Sequence, residues 1–546
     1  MPATAAPFSP PADRRFALDR AHLGDIVGAL GTVRAVDTGP RRSLRRRALT
    51  LLAIMGPGLV VMAADADAGS LAVFSQAGQN YGLSLLWVVV ALAPVLFVHQ
   101  EMVVRLGAVT GVGHARLIFE RFGRLWGSFA VGDLLVLNLL TVVTELIGVS
   151  LALGYFGVSR YIAVPLAAGV LVLITAGGSF RRWERVMYVL VAANLLVVPL
   201  ALLSAHHPSS IVAHGVVPGI EGGWNSTAAL FVVALVGTIV APWQLFFQQS
   251  NVVDKRISAR WLNYERIDTL IGVALFTLCA AAVIVVFALA FAGGPLHGGF
   301  TDAGAAADEL GSRLGFSAGA VFALALLNAS VLGAGAVTLA SSYAIGDTLG
   351  LKHSLHRSWR DARLFHLSFA VFVGVAAGIV LIPATPLGIV TTGVQALAGV
   401  LLPSASVFLL LLCNDRELLG PRTNPPWLNA LAGLIVGVLV VLSGTITITT
   451  IFPAADATPV AAGLGGVLAA VLLGLGVAAR VSPRRAAAPD CETPWEARTW
   501  TMPSLESLDR PALSPGRTVG LVVLRVYLTV AAAMVVVRAV ELALGR

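Results

Sequence analysis

Stretches of 18 or more predominantly apolar residues recur along this chain from residue 48 to residue 543. Each is long enough to cross a ~30 Å hydrocarbon layer as a helix. The runs are continuous and rich in Leu, Val and Ala, where the strands of a membrane barrel would alternate. The expected fold class is therefore an all-α polytopic membrane protein. Charge supports this: only 12% of the 546 residues are Asp, Glu, Lys or Arg, about half the usual share of a soluble domain. So few charges cannot cover a water-soluble protein of this size, which sets the soluble-enzyme classes aside.

Thirteen spans are expected, at 48–79, 82–104, 127–156, 161–179, 185–206, 226–250, 266–293, 315–347, 364–383, 387–413, 426–448, 459–480 and 518–543. Residues 1–47 read as a cytoplasmic tail without an apolar core, ending in the basic run Arg41 to Arg47, and no secretory signal pattern precedes it. The Pro-, Arg- and Glu-containing segment 481–517 reads as a cytoplasmic linker, and 518–546 as an anchoring peripheral span.

The net charge of +8 comes almost wholly from arginine, since Lys255 and Lys352 are the only lysines. With the N-terminus inside, the even-numbered connections carry Arg116, Arg121 and Arg124, then Arg181, Arg182 and Arg185, then Lys255, Arg256 and Arg260. The external side receives only Arg160, Arg313 and Arg546. This asymmetry follows the positive-inside rule and places the chain in the cell membrane with a cytoplasmic N-terminus. It also accounts for the basic balance without nucleic acid as a partner; the partner surface is the lipid bilayer. Cys279, Cys413 and Cys491 are scattered and form no CxxC, so neither a disulfide framework nor a thiolate metal site is indicated. The ten histidines show no HExxH spacing. Gly333-Ala334-Gly335-Ala336-Val337-Thr338 lacks the preceding strand and the Lys-Ser/Thr of a phosphate loop, and reads as close helix packing. No catalytic constellation and no resident cofactor are expected.

Two spans carry polar or helix-breaking residues at mid-depth. The first contains Asp65-Ala66-Asp67-Ala68-Gly69-Ser70, and two carboxylates inside a span cost roughly 2.5–3.5 kcal/mol each. Unwinding is expected beside Gly69 and Ser70. The sixth contains Thr238-Ile239-Val240-Ala241-Pro242-Trp243, where Pro242 lacks an N–H and frees the carbonyls of Thr238 and Ile239. From span starts at 48 and 226, Asp67 falls at offset 67 − 48 = 19 and Ala241 at 241 − 226 = 15. Interruptions at similar depth in corresponding spans point to an inverted five-plus-five repeat with its site at the bilayer midplane. Half-helix C-termini and Asp67 are both negative, which favours a cation. The competing reading is a simple kink at Pro242 with the aspartates lining a water cavity.

At these residues the sequence resembles the NRAMP family of divalent-metal transporters. Gly56-Pro57-Gly58 through Asp67-Ala68-Gly69-Ser70 resembles that family's first span, whose unwound motif is Asp-Pro-Gly-Asn. Gln76-Ala77-Gly78 with Gly82 to Trp87, Arg105 to Gly111, Glu145-Leu146-Ile147-Gly148, Leu402-Pro403 and Asn414 to Gly420 extend the likeness in order along residues ~48 to ~425. It implies a LeuT-like fold for spans 1–10 (residues 48–413), with spans 11–12 (414–480) and the thirteenth as about three C-terminal additions.

The resemblance also implies a site for a transported metal ion at Asp67, Ser70, the backbone at Thr238 or Ala241, and Gln395. Two departures matter. Ser70 stands where the family has Asn, and Ala241 where it has Met; loss of the thioether removes a soft ligand that favours transition metals. Mg²⁺ keeps several waters and prefers oxygen, so the pattern is similar to the NRAMP-related magnesium transporters. Trp243 and Val142 replace a His and an Asp of proton-coupled members, which implies uptake without obligatory proton symport. Glu145 is retained and Asp65 is additional, both as accessory acids. The expected function is a secondary transporter for hydrated Mg²⁺, tolerating Mn²⁺. The alternatives are a proton-coupled Mn²⁺/Fe²⁺ symporter, a LeuT-fold organic-solute symporter, and a non-transporting membrane sensor.

Overall fold

The first apolar run does not fold as one rod. In the computed structural model, Ser43 caps helix α1 (Leu44–Ile54), its side chain accepting from the Arg46 N–H. The chain turns at Met55 and Gly56 and restarts on a proline as α2 (Pro57–Asp65), at 52° to α1. A first-turn proline suits this position, because its missing N–H would have no intrahelical partner there. α2 stops at Ala66, whose φ of −75° and ψ of 54° leave the helical region. Asp67 then caps α3 (Ala68–Tyr81), accepting from the Ser70 N–H. The expected span 48–79 is thus an arginine-led approach helix followed by a broken span. The break falls at Ala66 and Asp67, not at Gly69 and Ser70, because the Asp67 carboxylate can cap orphan N–H groups and so start a new helix.

The structure describes residues 22–37, 39–204, 208–383, 387–452, 455–481 and 500–508, with 521–522, 525–526, 529–530 and 533. The second span is α4 (Leu86–Thr110), followed by the short α5 (His114–Phe122) and the third span α6 (Arg124–Gly154). α7 (Arg160–Ala176) stands at the fourth span, and α8 (Phe180–Asn194) continued by α9 (Val197–Ser204) at the fifth, before the short α10 (Pro208–Val216). The sixth is broken like the first. α11 (Ser226–Ile239) ends, Val240 and Ala241 are extended, and α12 (Pro242–Asp254) restarts on Pro242. α13 (Leu262–Phe291), the intervening α14 (Ala303–Leu314), α15 (Phe316–Leu349), α16 (Arg363–Val380) and α17 (Leu387–Cys413) complete the ten-span core. α18 (Arg416–Leu419), α19 (Pro426–Ile451) and α20 (Ala457–Val481) follow.

Among the described residues nine helical segments are long and apolar enough to cross a bilayer, or ten with the bent α1–α2 pair. Of the other expected spans, α7 and the apolar part of α20 (Thr458–Gly474) fall short in length. Most of the thirteenth span and of the 481–517 linker lie outside the described residues, as do residues 1–21.

The broken spans occupy the middle of the bundle. α13 packs along α2, α3 and α4, α15 along α6, and α11 along α17. The most apolar stretch of the sixth span is wholly buried. Irregular backbone at membrane depth needs such a setting, since exposed carbonyls would face hydrocarbon.

Part of the expected tail is built into the fold. β1 (Ile26–Gly28) and β2 (Gly31–Val33) pair antiparallel, with Ile26 opposite Val33, and the hairpin packs on α1 and α8. Arg181 donates to the Gly28 carbonyl at 3.2 Å and to the Thr32 hydroxyl at 2.6 Å, and Arg256 to the Asp25 carbonyl at 3.0 Å.

Candidate functional site

The two breaks bring together residues distant in sequence. Asp65, Asp67, Ser70, Glu145, Thr238, Ala241 and Gln395 are each 5% exposed or less. Asp67 Oδ1 accepts from the Ser70 N–H at 2.7 Å, and the Ser70 hydroxyl donates to the Asp65 carbonyl at 2.5 Å. Ser70 therefore ties the last residue of α2 to the cap of α3. Glu145, from the middle of α6, accepts from the Ala68 N–H at 3.1 Å and reaches the Asp67 carboxyl. The close approach depends on Gly333 of α15, where a Cβ would stand 2.8 Å from both Asp67 Cβ and Glu145 Oε2. The small-residue stretch around Gly333 thus packs helices, as its sequence context suggests.

Gln395 of α17 bridges the two broken spans. Its Oε1 accepts from the Thr238 hydroxyl at 3.3 Å, and its side-chain amide lies so close to Gly69 that any Cβ there would collide with it. Gly69 and Ala68 belong to the first turn of α3; Gly69 serves this approach and the helix does not unwind at it. Pro242 and Trp243 likewise open α12, while the break lies at Val240 and Ala241. The Ala241 carbonyl accepts from the Gln244 N–H at 3.2 Å. The Trp243 ring meets Phe247 edge-on, 6.0 Å between centroids. Val142 is fully buried.

Two residues outside the sequence-based set belong to this cluster. Gln244 donates from Nε2 to Asp65 Oδ1 and accepts at Oε1 from Gln100 of α4, at 2.7 Å. Their only sequence signal is an amide in an otherwise apolar helix, which packing glutamines share.

Electrostatically the cluster is one-sided. Among the described residues no salt bridge reaches Asp65, Asp67 or Glu145. A buried charge that is neither paired nor hydrogen-bonded is costly, so a cation is the natural complement. The described residues contain no group of three or more His, Cys, Asp or Glu side chains arranged to hold a metal ion. A cation here would lean on one or two carboxylates, a hydroxyl, amide and backbone oxygens, and water. That donor set is hard, and sulfur has no part in it.

A family model described as natural resistance-associated macrophage protein-like matches residues 58–449. A divalent metal cation transporter MntH of Verminephrobacter eiseniae is 29% identical over 441 residues, 77% of this chain and 93% of that protein. The divalent metal cation transporter MntH 1 of Pseudomonas aeruginosa is 28% identical over 412 residues, 72% of this chain and 90% of that protein. Among solved structures, a manganese transporter of Eremococcus coleocola in complex with an aromatic bis-isothiourea compound superposes with a TM-score of 0.61. It is 19% identical, and the match covers 82% of this chain and 98% of that one; the likeness fixes the fold.

Proposed function

The chain belongs to the natural resistance-associated macrophage protein-like family, and from that premise we propose that it carries divalent cations across the cell membrane by alternating access. Its N-terminus is cytoplasmic in this reading, as the arginine distribution favours. The single observation that carries it is the buried trio Asp65, Asp67 and Glu145 at the break of the first span, without a salt bridge to any of them among the described residues. Relatives named as divalent metal cation transporters support the substrate class.

Within that class the preferred ion is hydrated Mg²⁺, with Mn²⁺ tolerated. Asp67, Ser70, Gln395 and the carbonyls at Thr238 or Ala241 offer oxygen alone, and Ala241 puts a methyl where a thioether would stand. Oxygen donors suit Mg²⁺ and Mn²⁺, and Mg²⁺ retains several waters in its sites. Uptake needs no obligatory proton. Trp243 and Val142 cannot relay one, and an inside-negative potential drives a divalent ion by about 4.6 kcal/mol per 100 mV, twice the single-charge value.

Proteoliposomes holding the purified protein test this reading, with one dye for Mg²⁺ or Mn²⁺ inside and another for pH. Metal entry under a negative potential without acidification is expected, and Asp67→Ala should abolish it. Mn²⁺ entry with stoichiometric acidification and no Mg²⁺ would replace this reading by proton symport through Glu145 or Asp65. Normal uptake by the Asp67→Ala protein would move the site elsewhere.

A further inference from the structure

Asp65 is the carboxylate that the donor set above leaves over. Its side chain is 1% exposed. Oδ1 accepts from Gln244 Nε2, whereas Oδ2 is buried and meets no hydrogen-bond donor among the described residues. No surrounding amide reaches Oδ2. Gln244 Nε2 also faces the Ile239 carbonyl at 3.4 Å, Gln100 Nε2 is directed to Gln244 Oε1, and Gln100 Oε1 is itself buried without a donor. The α2 side of the break therefore holds more acceptors than donors, with one acceptor a carboxylate oxygen. On the α3 side, Asp67 is satisfied by its own helix N-terminus through Ser70.

We propose that Asp65 is a second station for the transported cation, reached from Asp67 across Ala66. Asp65 Oδ2 coordinates the ion directly and Gln244, backed by Gln100, holds the carboxylate in place. The inference rests on the divalent-cation reading and adds to it. Ser70 couples the two stations, since its N–H binds the Asp67 carboxylate and its hydroxyl the Asp65 carbonyl, so moving the ion between them disturbs both helix ends at once. Gln244 touches Asp65 and Gln100 acts through Gln244, so both are positioning residues.

Titration of the purified full-length protein with Mn²⁺ as the probe, read by calorimetry beside liposome uptake and thermal unfolding, tests the proposal. Asp65→Asn keeps the shape and the acceptor facing Gln244. It should weaken Mn²⁺ binding and slow Mn²⁺ and Mg²⁺ uptake at least tenfold with an unchanged unfolding midpoint. Asp65→Glu should recover part of both. Wild-type binding and uptake in Asp65→Asn would overturn the proposal and mark Asp65 as a neutral buried acid. Loss accompanied by a lowered midpoint and no recovery in Asp65→Glu would also overturn it, as a purely structural role. Wild-type protein that neither binds nor transports Mn²⁺ would instead overturn the cation reading itself, so the two failures are distinguishable.

Discussion

In the proposed site, the residue at position 241 sets whether a soft donor is present. Ala241 sits in the break with φ −102° and ψ 143°, capping α12, and 5% of it is exposed. A thioether placed there would add a polarizable donor to a site built from carboxylate, hydroxyl, amide and carbonyl oxygens. Soft donors raise affinity for transition metals and do little for Mg²⁺. Ala241→Met is expected to shift the uptake order toward Mn²⁺ or Cd²⁺ over Mg²⁺ by about tenfold, equivalent to about 1.4 kcal/mol. Competition uptake in liposomes measures it, and an unchanged order would remove sulfur from the argument. At this scale Asp67 and Ser70 stand out in the sequence as polar groups inside a span, and Gln395 is reached through the family resemblance; the fold brings all three to the same breaks. Gln100 and Gln244 are not. An amide in an apolar helix becomes part of a site only when the fold sets a carboxylate opposite it.

At the scale of elements, the joint between α1 and α2 governs how the broken span is held. Asp268 of α13 accepts from the N–H groups of Gly56 at 3.0 Å and Gly58 at 2.7 Å, as an acid placed at a helix N-terminus should. Lys255, wholly buried after the end of α12, donates to the Met55 carbonyl and to Glu184 of α8, each at 2.5 Å. Glu184 in turn accepts from the Ala29 N–H of the hairpin. Gly56 is obligatory here: its φ is 152°, and a Cβ would strike the Glu184 carboxylate. Removing one partner of a buried pair leaves the other uncompensated. Lys255→Met is therefore expected to cost about 3–5 kcal/mol, read as a lowered unfolding midpoint in detergent. A midpoint equal to wild type would show that the pair is not structurally required. Pro242 made the restart of the sixth span readable, whereas the restart of the first at the Asp67 cap was expected at Gly69 and Ser70. The hairpin was not readable, because two three-residue strands in a Pro- and Arg-rich stretch carry no periodicity, and their stability comes from α1 and α8. Nor did the apolar run show where α1 ends, since a turn supported by Asp268 and Lys255 depends on residues about 200 positions away.

For the whole molecule, the inter-span connections carry a pH dependence that the bilayer-embedded core hides. His114, at the start of α5, is fully buried; its Nδ1 donates to Gln249 Oε1 at 2.7 Å, and Gln249 passes the contact on to the Val112 carbonyl at 2.7 Å. Burial pushes its pKa down to about 4, against the opposing hydrogen bond to Gln249 and the charge of Asp347. Unfolded, His114 would take up a proton near its ordinary value of about 6.5. Between those values the unfolded state binds more protons than the folded one, so stability rises with pH and is lost on acidification from 6.5 toward 4. His353 acts in the opposite sense. Burial disfavours its charge, but its contact with Asp347 at 3.1 Å outweighs this and raises its pKa. Its contribution is complete below the unfolded value and fades as pH climbs through the raised one. The two residues work against each other across one pair of connections, between α4 and α5 and between α15 and α16. The unfolding midpoint should therefore fall between pH 7 and pH 5 by less than His114 alone would impose. In His114→Gln, which keeps an amide donor for Gln249 and cannot be protonated, that fall should shrink, because of the histidines whose pKa burial lowers in these connections only His356 then remains, set against His353. A His114→Gln protein that loses stability on acidification as steeply as wild type would show that His114 is not the acid-sensitive group.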